Sequence, residues 1–222
     1  SYSASTWDSN TSVPTKNAVR DRLQTMAGTF GVNVKDSPYN ATGDGTTDDT
    51  AALQAAFTAS SVVFIPEGTY ILSASLYPTN GSGGIGTIYG VGPRSILKAA
   101  VTFTNGFGID TGSNTMIIRD IALDGNNITN YVGLGSAGVR SGLRLWAGGF
   151  SQAIRVYAHN WSREGIFVEG IDNTTTRLNR SSVSFCSVTN SYRGIHMADT
   201  NKAEYCIVAN NQVWKCELGL VI

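Results

Sequence analysis

The chain has 222 residues, enough for one domain with a real core. Sixteen Lys and Arg balance 16 Asp and Glu, and charged residues make up 14% of the chain, so nothing in its electrostatics calls for nucleic acid. The longest apolar run, Val62-Val63-Phe64-Ile65, is far too short to cross a bilayer, so no membrane insertion is expected. With 25 glycines and recurrent Asn, Thr and Ser, the composition calls for many short strands and tight turns rather than a helical bundle.

Residues 1–30 read as a connecting segment. Pro14 opens it, Val19, Leu23 and Met26 mark one stripe of a short helix, and Gly28 closes it. A helix this short is marginal alone and must pack on its own domain or on copies of itself. From Phe30 the texture becomes β, and 31–222 reads as one domain. Gly31-Val32-Asn33-Val34-Lys35 alternates like a half-buried strand. Gly43-Asp44-Gly45-Thr46-Thr47-Asp48-Asp49-Thr50 reads as a turn leading into a helix over 51–57, with Asp48 as N-cap and Asp49 against the positive helix end. Val62–Ile65 and Thr69–Leu72 follow as strands around the Pro66-Glu67-Gly68 turn.

The second half repeats. Gly, apolar, any, apolar occurs at Gly142-Leu143-Arg144-Leu145, Gly165-Ile166-Phe167-Val168, Gly194-Ile195-His196-Met197 and Gly219-Leu220-Val221-Ile222. Such spacing signals a solenoid, and it is too short for a strand–helix–strand unit. Ile154 and Val156 precede Gly165 by the same distances as Val183 and Phe185 precede Gly194, which suggests equivalent strands; the last turn does not keep this match, which implies a loop of different length. The strands stack on their equivalents about 4.8 Å apart in a coil of parallel strands. The chain stops at Leu220-Val221-Ile222, within an apolar strand, so a parent polypeptide with further rungs is expected.

Val32-Asn33-Val34-Lys35-Asp36, the run Gly43 to Ala56, and Val63-Phe64-Ile65-Pro66-Glu67-Gly68-Thr69-Tyr70 closely resemble the start of pectate-lyase-like proteins, common in bacteriophage tailspikes and bacterial glycan-cleaving enzymes. The resemblance implies an all-β, right-handed parallel β-helix whose N-terminal end is capped by a short helix and, in the phage branch, a homotrimer. The opening around Val13-Pro14-Thr15-Lys16-Asn17 resembles connecting segments of phage tail fibres, which places the protein in a virion tail with other tail proteins as partners; a secreted location is the alternative.

Alternation places the first and third residues after each repeat Gly inside and the second and fourth outside. The outward set includes Arg144, Trp146, Phe167, Glu169 and His196, a mixture of rings and charges suited to stacking and hydrogen bonding with sugars. Arg144, Trp146, Phe167 and His196 are therefore the candidate substrate-binding residues. The same residues could instead pack under a loop or against a neighbouring subunit. Glu169 and Asp199, one rung apart, form the candidate catalytic pair, because glycosidases use two carboxyl groups; two solvated turn residues is the competing reading. Glu164 reads as a weaker loop candidate, and neither His159 nor His196 shows a partner in the sequence. Asp44, Asp48 and Asp49 read as turn and cap residues rather than as an active site. Cys186, Cys206 and Cys216 are odd in number and lack metal spacing, so they read as free thiols, and no metal or cofactor is expected.

The expected function is recognition, and depolymerisation by the parent protein, of a bacterial surface polysaccharide. The alternatives are a non-enzymatic attachment or structural fibre module, and a secreted bacterial polysaccharide lyase or hydrolase.

Overall fold

The computed structural model describes residues 31–79, 85–103, 106–112, 114–126, 140–146, 150–169, 181–197 and 206–222. The short helix expected before residue 30 lies outside them. Val32–Ile222 packs as one unit. Its first turn contributes β1 (Val32–Asn33) and β2 (Asp44–Asp48), followed by the helix α1 (Thr50–Ala59). Next come β3 (Val62–Phe64) and β4 (Gly68–Leu72), then β5 (Ile85–Tyr89), β6 (Ser95–Ala99) and β7 (Gly106–Asp110). Two long strands, β8 (Thr115–Asp124) and β10 (Gln152–His159), flank β9 (Arg140–Trp146) in sequence. After β11 (Glu164–Glu169) the strands shorten: β12 (Ser182–Ser184), β13 (Ser187–Thr189), β14 (Arg193–Met197), β15 (Ile207–Ala209), β16 (Gln212–Trp214) and β17 (Leu218–Val221).

The pairings among these strands are parallel. They stack into a right-handed parallel β-helix with three faces. Sheet I runs β1-β3-β5-β8-β10-β12-β15. Sheet II comprises β2, β4, β6, the second halves of β8 and β10, β13 and β16; because β8 and β10 pass the corner unbroken, sheets I and II form one 12-stranded sheet. Sheet III is the separate five-stranded β7-β9-β11-β14-β17.

The corner between sheets I and II is a stack of left-handed residues, Asp120 (φ 56°), Arg155 (φ 50°), Phe185 (φ 56°) and Asn210 (φ 57°). Side chains resist this conformation, and Arg155 is held there by Asp120, Nε to Oδ1 at 2.5 Å and Nη2 to Oδ2 at 2.9 Å. Asn160 (φ 61°), Asn190 (φ 49°) and Lys215 (φ 53°) line the exit from sheet II. There Asn190 Nδ2 donates to Asn160 Oδ1 at 3.3 Å, and Asn160 Nδ2 donates to Asp124 Oδ1 at 3.0 Å, a ladder running along the solenoid.

The inner side chains form one core from Val34 to Met197. Leu53, Ala56 and Phe57 of α1 join it, so the helix covers the first rungs as expected. Its N-cap is Asp49, not Asp48. The Asp49 carboxylate is turned away from the helix and accepts from Thr42 N (2.7 Å), Thr42 Oγ1 (3.0 Å) and Gly43 N (3.0 Å), tying down the preceding loop. Asp48 accepts from Thr50 N at 3.0 Å and from Ser73 Oγ at 2.6 Å. The Asp-rich run read as a turn is itself strand β2, paired with β4, although Asp44 Oδ1 still accepts from Thr46 N and Thr47 N as a turn residue does.

Two register expectations are corrected. Val183 pairs with Ala153, not Ile154, and Ser187 pairs with Tyr157. Those partners differ by 30 positions, whereas Glu164 and Arg193 differ by 29. One residue is therefore dropped at the corner before β14, and counting back from glycine slips the strand by one. Phe185 consequently sits opposite Arg155 on the corner and is exposed, while Cys186 takes the buried position. The last turn does keep the spacing of the one before it: Val208 and Val213 pair with Val183 and Val188, and Leu220 pairs with Ile195.

The inner positions of the repeat are confirmed for Leu143, Leu145, Ile166, Val168, Ile195 and Met197, all buried. Leu220 and Ile222 are exposed instead, since no described strand stacks beyond β17. The repeat glycines are needed for space. A Cβ on Gly142 would meet the Trp161 ring and the Gly165 carbonyl, and one on Gly165 or Gly194 would strike Val188 or Val213 of sheet II. Cys186, Cys206 and Cys216 are free thiols; only Cys186 is fully buried, and burial raises its pKa to about 11.

Candidate functional site

The outer face of sheet III carries the residues singled out by the repeat. Parallel register places Asp110, Arg144, Phe167, His196 and Val221 one above another on β7, β9, β11, β14 and β17. A second column, three residues earlier on each strand, holds Phe107, Ser141, Glu164 and Arg193. The Phe107 and Phe167 rings, two rungs apart, lie parallel, 3° apart in plane with centroids at 6.3 Å. Phe167 also stacks on His196 at 4.9 Å, and the Arg144 guanidinium lies over Phe107 at 5.1 Å.

Arg144 organises the upper half of this face. Its Nε donates to Glu169 Oε2 at 2.6 Å, its Nη2 pairs with the same oxygen, and its Nη1 reaches Asp110 Oδ2 at 3.2 Å. Glu169 thus stands in an ion pair, partly exposed. Asp199, its expected partner, lies outside the described residues. Trp146 closes β9 opposite Glu169, and its side chain lies outside them too.

The lower half is built around Glu164, which opens strand β11 rather than lying in a loop and is buried. Ser141 Oγ donates to its Oε2 at 2.6 Å. Around Oε1 lie Arg163 Nε at 2.8 Å, His196 Nδ1 at 3.3 Å and Arg193 Nη1 at 3.4 Å. The Arg163 N–H is not aimed at the oxygen, so that residue acts by charge. Burial pushes the Glu164 carboxyl up, but hydrogen bonds from His196 and Ser141 and the charge of Arg163 outweigh it and hold the pKa below the ordinary carboxylate value. His196 therefore has the partner its sequence context did not reveal. It faces outward from the sheet yet is buried among Phe167, Glu164 and Arg193, so it is a support for the face rather than an open contact.

His159 is paired as well, on sheet II: its Nδ1 is 3.4 Å from Asp124 Oδ1 and 2.9 Å from Asn160 Nδ2. Among the described residues no cluster of His, Cys, Asp and Glu could hold a metal ion.

A family profile described as rhamnogalacturonase A/epimerase, pectate lyase-like, matches residues 31–132. The pre-neck appendage protein of Bacillus phage B103 is 30% identical over 202 residues, covering 82% of this chain and 22% of that protein. The solved pre-mature gene product 12 of bacteriophage phi29 superposes with a TM-score of 0.63 at 24% identity, over 81% of this chain and 25% of that one. ORF18 of Geobacillus virus E2 superposes with a TM-score of 0.62 at 18% identity, over 93% and 46% of the two chains. The chain folds as a parallel β-helix, resembles the pectate-lyase-like family over residues 31–132, and is similar in sequence to phage pre-neck appendage proteins.

The β-helix spans less than a quarter of the length of the curated relatives it matches. The repeat did not pick out Phe107, Asp110, Ser141, Arg163, Glu164 or Arg193 on this face. A trace was present: the residue before each buried repeat glycine is polar or charged, Ser141, Glu164 and Arg193 in turn. This residue and the one two beyond the glycine, three positions apart, meet on neighbouring rungs, as Glu164 and His196 do at 3.3 Å.

Proposed function

We propose that this β-helix is a module of a phage virion appendage that recognises a bacterial surface polysaccharide through the outer face of sheet III. The observation that carries the reading is the Phe107–Phe167 ring pair set beside the Arg144–Glu169 ion pair. These partly exposed rings offer apolar contact to a pyranose, and the Arg144 and Glu169 charges beside them take its hydroxyls. Arg144, Phe167 and Trp146 are the contact residues, with His196 beneath them. The module works as a homotrimer alongside other virion proteins.

Depolymerisation by the parent protein is the finer form of the proposal. Glu169, held in an ion pair, suits the base or nucleophile of a glycosidase, and Asp199 the second carboxyl. The competing form is attachment without cleavage. It is favoured by the arginine pairing of Asp110, Glu164 and Glu169, which commits each described carboxylate of this face to a positive partner. One experiment separates the two forms. Full-length parent protein is incubated with host surface polysaccharide, and new reducing ends and retained polysaccharide are both measured. Cleavage lost in Glu169→Gln and Asp199→Asn, with binding kept, is the result expected of the enzyme. Binding without new reducing ends identifies the adhesin. Wild-type binding by Arg144→Ala and Phe167→Ala would refute the site itself.

A further inference from the structure

A groove of about 560 Å3 lies beside the N-terminal turn of α1, lined in part by Asp48, Thr50, Gln54, Ser73, Ser75 and Tyr77. Its place in the solenoid follows from Leu76, which bridges Ile109 in parallel. Leu76 N donates to Gly108 O at 3.2 Å, and Leu76 O accepts from Asp110 N at 2.9 Å. Leu76 is therefore the inner residue of sheet III one rung before β7, and Tyr77 is the outer residue above Asp110. The outer column thus begins at Tyr77 and continues through Asp110 and Arg144 to Phe167.

Tyr77 is half exposed, at 50%, and its backbone is held by a side chain instead of a strand. Gln54 Nε2 donates to Tyr77 O at 2.9 Å, and Tyr77 N donates to Gln54 Oε1 at 2.9 Å. This clamp fixes the Tyr77 backbone at the wall of the groove. Next to it Asp48 is kept as a carboxylate: burial raises its pKa, and hydrogen bonds from Ser73 and Thr50 more than offset that. An exposed ring, a carboxylate, several hydroxyls and a concave shape occur together here.

We infer that this groove is the end subsite for the saccharide, with Tyr77 stacking on one pyranose ring and Asp48, Thr50 and Ser73 meeting its hydroxyls. The inference rests on the reading of sheet III as a glycan surface, and it gives the ligand a direction and a length. The glycan lies along the solenoid axis, from α1 toward β11. Tyr77 to Phe167 is three rung steps, about 14 Å at 4.8 Å each, the reach of about three sugar residues.

The test measures affinity against chain length by titration calorimetry. The ligands are oligosaccharides of one to six residues, fractionated from the surface polysaccharide of a host strain that retains the full-length parent protein. Affinity is expected to rise up to about three residues and then level off. Tyr77→Ala should weaken the three-residue ligand about tenfold and level off one residue earlier, while Tyr77→Phe keeps the ring and binds as wild type. Asp48→Asn, which preserves shape, should weaken the same ligands. If Tyr77→Ala and Asp48→Asn bind every length as wild type while Phe167→Ala is impaired, the subsite is overturned and the glycan face stands. If no length binds the wild type, the glycan face and its subsite fall together.

Discussion

Glu164 shows how one buried carboxylate organises a surface. It is surrounded by Arg163, Arg193 and His196, and Ser141 donates the shortest of its hydrogen bonds. Glu164→Gln keeps the shape but leaves two arginines with no counter-charge in a dehydrated place. A loss of about 3 kcal/mol is expected in urea unfolding, because breaking a buried pair costs more than the pair contributes. The folded-state pKa lies below the unfolded value, so the stabilisation is complete above about pH 5 and is lost as pH falls through the ordinary carboxylate range near 4.3 and below. Wild type should therefore lose stability on acidification more steeply than Glu164→Gln; parallel acid profiles would contradict the pairing. At the same scale, the sequence displayed Arg144, Phe167, Glu169 and His196 on one face, but it could not show that Arg144 would take Glu169 or that His196 would meet Glu164. Those partners lie 25 and 32 positions away, and only the stacking of rungs brings them together.

At the scale of the element, the glycine ladder explains why the repeat was visible. Sheet III turns inward so tightly that a methyl group at Gly165 or Gly194 would enter the space of a sheet II valine. Gly194→Ala should cost about 1–3 kcal/mol through overpacking against Val213. Adding Val213→Ala should restore part of that loss in a double-mutant cycle; additivity would argue against the contact. The same glycines misled the register of sheets I and II. A ladder fixes spacing only within its own sheet, and the corner between β13 and β14 is one residue shorter than its equivalent between β10 and β11. The left-handed corner residues carry little sequence signature, since Arg155 and Phe185 occupy a conformation that Asn and Gly normally supply.

For the whole molecule, stability passes between neighbouring rungs rather than through a central point. β8 and β10 each have described partners on both sides and run through a corner unbroken, whereas among the described residues β15, β16 and β17 have a strand partner on one side only. In the 222-residue chain, amide exchange should be slowest in β8 and β10 and fastest in β15 to β17. Uniform protection across the rungs would show a single cooperative unit instead of a graded solenoid. The same stacking sets the scale of the outer face of sheet III, because each rung adds one outer residue to a column at a fixed spacing near 4.8 Å.

The sequence by itself determined the class of structure. Recurrent Gly-apolar-any-apolar units, low charge and abundant turn residues leave a coil of parallel strands as the arrangement that buries each apolar pair, and the inner residues of the repeat follow from alternation alone. Only the tertiary structure decided the site. The loops between rungs differ in length, so which side chains from successive turns come to lie beside one another depends on how many residues each corner consumes. That count placed Tyr77 above Asp110, Phe107 in register with Ser141, and Glu164 against His196.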